Sequence, residues 1–99
     1  MTIEITGTLA EDARFGIGRV NDAVITLRIV TGPSLFETRI VAGSAPADHI
    51  AAQLRADRWR RGDPVHVRCS ELAWCSDHDV GRFVARGLQA VSVRGASAL

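Results

Sequence analysis

Apolar and polar residues alternate over residues 2–9, TIEITGTL, with Ile3 and Ile5 on one side and Glu4 and Thr6 on the other. A period of two predicts a strand with one buried face, and Gly7 within it predicts a bulge or bend. Residues 11–22, EDARFGIGRVND, carry glycines and scattered charge and read as a loop. Residues 23–30, AVITLRIV, are rich in β-branched side chains and predict the clearest strand, with Ile25, Leu27 and Ile29 inward and Thr26 and Arg28 outward. Thr31-Gly32-Pro33-Ser34 predicts a turn. Residues 35–42, LFETRIVA, predict a third strand, with Phe36, Thr38 and Ile40 opposed to Leu35, Glu37, Arg39 and Val41.

The period then changes. Ser44 is a candidate N-cap and Pro46 falls in the first turn, where a missing N–H costs nothing. A helix is expected from about Ala45 to about Arg60, its apolar stripe made of Ala47, Ile50, Ala51 and Leu54. Arg58, Arg60 and Arg61 suit the negative end of its dipole, and Gly62 supplies a left-handed stop. The stretch WRRGDPVHV contains an Arg-Gly-Asp tripeptide, yet it reads as a helix stop, a turn and a strand start, with Trp59 packed on the sheet. Val65, Val67 and Cys69 alternate with His66, Arg68 and Ser70 as a fourth strand. Residues 71–81, ELAWCSDHDVG, read as a polar loop, and residues 82–94 as a fifth strand kinked at Gly87. Residues 95–99 read as a short flexible tail. The expected fold is therefore all-β, a single domain over residues 1–94 with five strands and one helix between strands three and four.

Composition narrows the function classes. Hydrophobic content of 46% in 99 residues allows a core without metal or disulfide. A net charge of +1 generates no global field toward nucleic acid or membrane. All twelve basic residues are Arg, the cation suited to forked phosphate contacts and to stacking. No apolar run is long enough for a membrane span. The start, MTIEITG, lacks a signal peptide's pattern, so a cytoplasmic location and reduced Cys69 and Cys75 are expected. That location also argues against an adhesion role for the Arg-Gly-Asp tripeptide.

Four stretches in order carry a family resemblance. GTLAEDAR (7–14) resembles the first-strand motif of bacterial single-stranded DNA-binding proteins, a Gly-x-Leu followed by an acidic pair and a basic residue. GRVNDAVITLRIVT is similar to that family's second strand, FETRIVAG to its third, and WRRGDPVHV to its basic-Gly-Asp segment before strand four. Primosomal replication protein N, a small relative, fits nearly as well. The resemblance implies a five-stranded OB-fold barrel, self-association as a homodimer or homotetramer through the first strand, and binding of single-stranded DNA in replication, recombination or repair. The chain departs from the pattern at Ala42, where the family has an aromatic, in the tight turn at residues 31–34, in its longer helix region, and in ending at Leu99 without an acidic tail. The last departure implies a bare DNA-binding module, without the tail that recruits other proteins.

Single-strand binding requires flat faces for bases and cations for phosphates. The resemblance places Phe36 and Trp74 at stacking positions. The cationic candidates are Arg14 in the first loop and Arg28, Arg39, Arg68, Arg82 and Arg86 on strands. Phe15 at the first loop tip reads as core, with a secondary place at the groove. A protein-interaction OB module with weak or no DNA binding is the competing reading, favoured by the low net charge. His66, Cys69, Cys75 and His78 are zinc ligand types, but strand parity sets Cys69 opposite His66, and no metal or other cofactor is expected. No phosphate loop, nucleophile elbow or spaced carboxylate pair is present, so no enzyme is expected; Asp77-His78-Asp79 reads as a polar loop.

Overall fold

The computed structural model describes residues 1–77 and 80–99. Among them, the chain forms β1 (Ile3–Leu9), β2 (Arg14–Ile17), β3 (Ala23–Thr31), β4 (Ser34–Val41), α1 (Pro46–Arg58), β5 (Pro64–Asp77), β6 (Val80–Val93) and β7 (Ala96–Ser97). The protein is mostly β with one helix. The strands form one sheet in the order β1-β5-β6-β4-β3-β2, with β7 on β6. β1 runs antiparallel to β5 from Ile3 to Thr8 and also pairs with β3 at Thr8 and Leu9, so the ladder path returns to its first strand. The approach is close: a β-carbon on Gly7 would overlap the carbonyl oxygen of Val30. That is the physical reason for the glycine expected to mark a bend.

Alternation places the core as the pattern predicted along β3. Ala23, Ile25, Leu27 and Ile29 are fully buried and meet Ile5, Leu9, Ile40, Val65, Val67, Cys69, Val91 and Val93. Each large aliphatic side chain contributes roughly 1.5–3 kcal/mol on burial. The two-residue Gly32-Pro33 hairpin joins β3 to β4, Gly32 supplying a φ of 56°.

Several expected elements differ. Part of the loop at 11–22 is strand β2, paired to β3 with Phe15 opposite Ile25. Phe15 packs against the core and meets the His49 ring edge-on at 6.5 Å. The helix is shorter at both ends than Ala45–Arg60. Its N-cap is Ala45 rather than Ser44, and the Asp48 carboxylate accepts the Ala45 N–H at 3.2 Å. The expected apolar stripe faces out: Ala47, Ile50, Ala51 and Leu54 are exposed, and Ala52 and Ala56 are buried instead. Small side chains let the helix backbone come close over β3 and β2, and the bulk at that end comes from Trp59, buried beneath the Arg55 guanidinium at 5.4 Å.

The Arg-Gly-Asp stretch is a turn, as expected. Gly62 has a φ of 90°, the Asp63 carboxylate accepts the Arg60 N–H at 2.8 Å, and Leu9 N–H donates to the Asp63 carbonyl at 2.9 Å. Gly62 closes this turn rather than capping the helix, whose C-cap is Trp59.

The largest departure is at 71–81, expected as a loop. Through Asp77 it continues β5, and with β6 it forms a long hairpin in which Leu72 faces Ala85, Ala73 faces Val84, and Trp74 faces Phe83. These apolar partners come later in the chain, so local polarity did not reveal them. The β5–β6 register shifts between Arg68 and Cys69, beside Gly87 with its φ of 65°. There β5 also changes the face it turns inward, from Val65, Val67 and Cys69 to Leu72. The tail expected to be flexible is instead docked. Ala96 and Ser97 pair with β6, Ala98 is fully buried, its N–H donates to Val91 O at 2.7 Å, and its carbonyl accepts from Arg55. No helix of the described residues is long and apolar enough to cross a membrane.

Candidate nucleic-acid interface

Two in-register rows cross the outer face of the sheet. Arg14, Thr26 and Arg39 align across β2, β3 and β4. Arg28, Glu37, Val84 and Ala73 align across β3, β4, β6 and β5. Period-two alternation adds Arg82 and Arg86 on either side of Val84. The same surface carries two shallow grooves. One, of about 400 Å³, is lined by Arg39, Arg82, Arg86, Glu37 and Trp74 among others. The second, of about 230 Å³, is lined by Arg14, Phe15, Thr26 and again Arg39. Arg39 therefore stands where the two meet.

The electrostatic centre of the face is Glu37, a residue that strand parity grouped only with Leu35, Arg39 and Val41. Its side chain is 2% exposed because arginines cover it. The Arg28 Nε–H donates to Glu37 Oε1 at 3.3 Å. Arg82 Nε lies 3.1 Å from the same oxygen, off the hydrogen-bonding line, and Arg39 Nε lies 3.6 Å from Oε2. A buried carboxylate is tolerated only with such compensation. Glu11 adds a second anion, 2.8 Å from Arg14 and 3.5 Å from Arg28. Arg14 and Arg39 remain more than half exposed, whereas Arg82 is 11% exposed. Arg86 is exposed and stands opposite Glu71.

The aromatic candidates lie in a row of opposite parity, on the face of β4, β6 and β5 turned away from the arginines. Phe36 and Phe83 are neighbours across β4 and β6, with stacked rings 5.5 Å apart, and the Trp74 ring meets Phe83 edge-on at 5.0 Å. Phe36 packs against the core, and Trp74, at the far end of the row, is 63% exposed and borders the larger groove. Phe83, the centre of the row, was not singled out from the sequence. The available signal was its place in an apolar strand, which does not distinguish it from a core residue.

Arg68 is set apart from this surface. It lies on the β1–β5–β6 part of the sheet, opposite Glu4 and Ala90. Its neighbour His66 contacts Thr6 Oγ1 at 2.9 Å and Glu4 at 3.4 Å. The cysteines are free thiols, Cys69 buried and Cys75 half-buried beside the larger groove. Among the described residues no group of three His, Cys, Asp or Glu could hold a metal; His78 and Asp79 lie outside those residues. The Asp12 carboxyl is held below its usual range, first by the Arg61 backbone N–H at 2.8 Å and then by the Arg60 guanidinium at 3.2 Å. That clamp ties the first loop to the Arg-Gly-Asp turn and has no part in the grooves. No known family model matches the chain, and no curated protein is similar to it at a significant level.

Proposed function

We propose that this chain is an OB-fold barrel that binds single-stranded DNA without strong sequence preference, in replication, recombination or repair. The barrel reading is supported by the pairing circuit β1-β5-β6-β4-β3 and back to β1, with the helix between the third and fourth strands of that circuit in chain order. The observation that carries the binding reading is the arginine-bearing outer face, with an exposed tryptophan set on the other face of the β5–β6 hairpin at the border of the larger groove. Arg14, Arg39 and Arg86 offer exposed cations along two connected grooves, and Trp74 offers a flat apolar face at one end. Phosphates meet the arginines and a base stacks on Trp74. Duplex DNA binds more weakly, because its bases stay within their own stack.

Trp59 is buried, so quenching of tryptophan fluorescence by oligo-dT reads Trp74. The expected result is quenching at low salt that weakens as salt rises, with a log–log slope of about −2 to −4 for a few phosphate contacts. Oligo-dT that neither quenches nor comigrates with the protein at low salt replaces this reading with a protein-interaction module. That second reading has its own support in the exposed apolar helix face at Ile50 and Leu54. Self-association through β1 belongs to the same proposal: from Ile3 to Gly7 this strand is paired to β5, and its pairing to β3 is at Thr8 and Leu9. An edge of this kind favours pairing with another chain. Light scattering that shows a homodimer or homotetramer supports it, and a monomer at tens of micromolar removes it.

A further inference from the structure

We propose that Glu37 is a positioning residue for phosphate contact, a buried anion that gathers the Nε sides of Arg28, Arg39 and Arg82 and so fixes how Arg39, an exposed arginine lining both grooves, presents its free guanidinium edge, with Arg28 and Arg82 as its supports. The proposal rests on the single-stranded DNA reading above and adds how its cations are organised. In all three ion pairs the closest approach to Glu37 is through Nε. A guanidinium has five N–H donors in a rigid fork. One gripped at Nε keeps its Nη1–Nη2 edge for a second acceptor, and its plane is set before that acceptor arrives. The three arginines come from three adjacent strands: Arg28 from β3, Arg39 from β4 and Arg82 from β6. Without an anion between them they would repel one another and lose a common orientation. Preorganisation of this kind raises affinity by lowering the ordering cost of binding.

Simple charge arithmetic predicts the opposite behaviour. A carboxylate in a phosphate groove repels the ligand, so its removal should tighten binding and steepen the salt dependence. The two accounts therefore differ in sign. Oligo-dT binding is measured by tryptophan quenching against salt for wild type, Glu37→Gln and Glu37→Asp, with the arginine Nε–H resonances followed by NMR. Gln keeps the length of the side chain without its charge; Asp keeps the charge and withdraws it from the arginines.

The expected result is at least fivefold weaker binding by both variants at low salt, with a slope no steeper than wild type. The Nε–H resonances of Arg28, Arg39 and Arg82 should move or broaden together, an effect that a general loss of stability would not confine to these three. Glu37→Gln binding as tightly as wild type or more tightly, with a steeper slope, overturns the proposal. Where Glu37→Gln fails to fold, Glu37→Asp decides by the same affinity criterion. A wild type that binds oligo-dT while both variants bind equally well sinks this proposal alone. A wild type that does not bind sinks the DNA reading and the proposal with it.

Discussion

The indole of Trp74 lies across Gly81, its diagonal neighbour on β6, so closely that a β-carbon at position 81 would overlap ring atoms Cζ2 and Cη2. Phe83 supports the same indole edge-on. Gly81→Ala therefore forces the tryptophan out of its pose, which its exposure permits at little cost to the fold. The expected outcome is a largely unchanged melting temperature, with oligo-dT affinity reduced toward that of Trp74→Ala, a loss of about 1–3 kcal/mol for one base stack. The salt slope should not change, because a base face carries no counterions. Full quenching retained in Gly81→Ala would show that this pose is not the binding pose.

Arg39 and Arg82 touch the same carboxylate but differ in exposure, 61% against 11%. Arg39→Gln is expected to lower the magnitude of the log K against log salt slope by about 0.7, the single-strand value per phosphate, with little effect on stability. Arg82→Gln leaves the buried Glu37 less compensated and is expected to cost about 1–3 kcal/mol in urea unfolding. The reverse ranking in the two measurements would show that the assignments of contact and support are exchanged.

Ala98 is fully buried, and its backbone joins Val91 and Arg55. Removing residues 96–99 opens the end of the core and unpairs β7 from β6. The expected cost is about 1–3 kcal/mol, which for a domain of this size lowers Tm by roughly 4–8 °C per kcal/mol. Oligo-dT affinity of the folded fraction should stay the same, since β7 lines neither groove. Calorimetry showing an unchanged Tm would return these residues to the status of a loose tail.

Asp12 provides a pH signature. Its carboxyl is held below the usual value by Arg61 N–H and Arg60, so in the window between the folded and unfolded values the unfolded chain binds more protons. Its stabilising effect is thus present above the unfolded value, near 3.9, and is lost as pH falls through the lower folded value. Asp12→Asn should be less stable than wild type at neutral pH, with the gap closing under acid. The site is exposed, so the gap is small. A gap that widens below pH 4 would contradict the assignment.

What the sequence determined by itself was the local periodic structure. The alternation of Ile25, Leu27 and Ile29 set the inner face of β3, Gly32-Pro33 set a two-residue turn, and the residues from Arg60 to Pro64 set the turn before β5. These features depend on a residue and its near neighbours, through side-chain parity and backbone φ. The arginines of the candidate site were legible as residue types on strands, and Arg28 as an outward position; the two aromatics were marked by the family resemblance alone. Tertiary structure alone decided which of them meet. Glu37 is buried because Arg28 and Arg82 reach it from other strands, Trp74 lies on a strand because Phe83 and Gly81 oppose it, and Arg68, beside Glu4 and Ala90, lines neither groove. The helix shows the same limit: an amphipathic stripe marks a face, but the space above β3 and β2 selected Ala52 and Ala56 over Ile50 and Leu54. Burial and ion pairing are relations between segments far apart in the chain, and no local period encodes them.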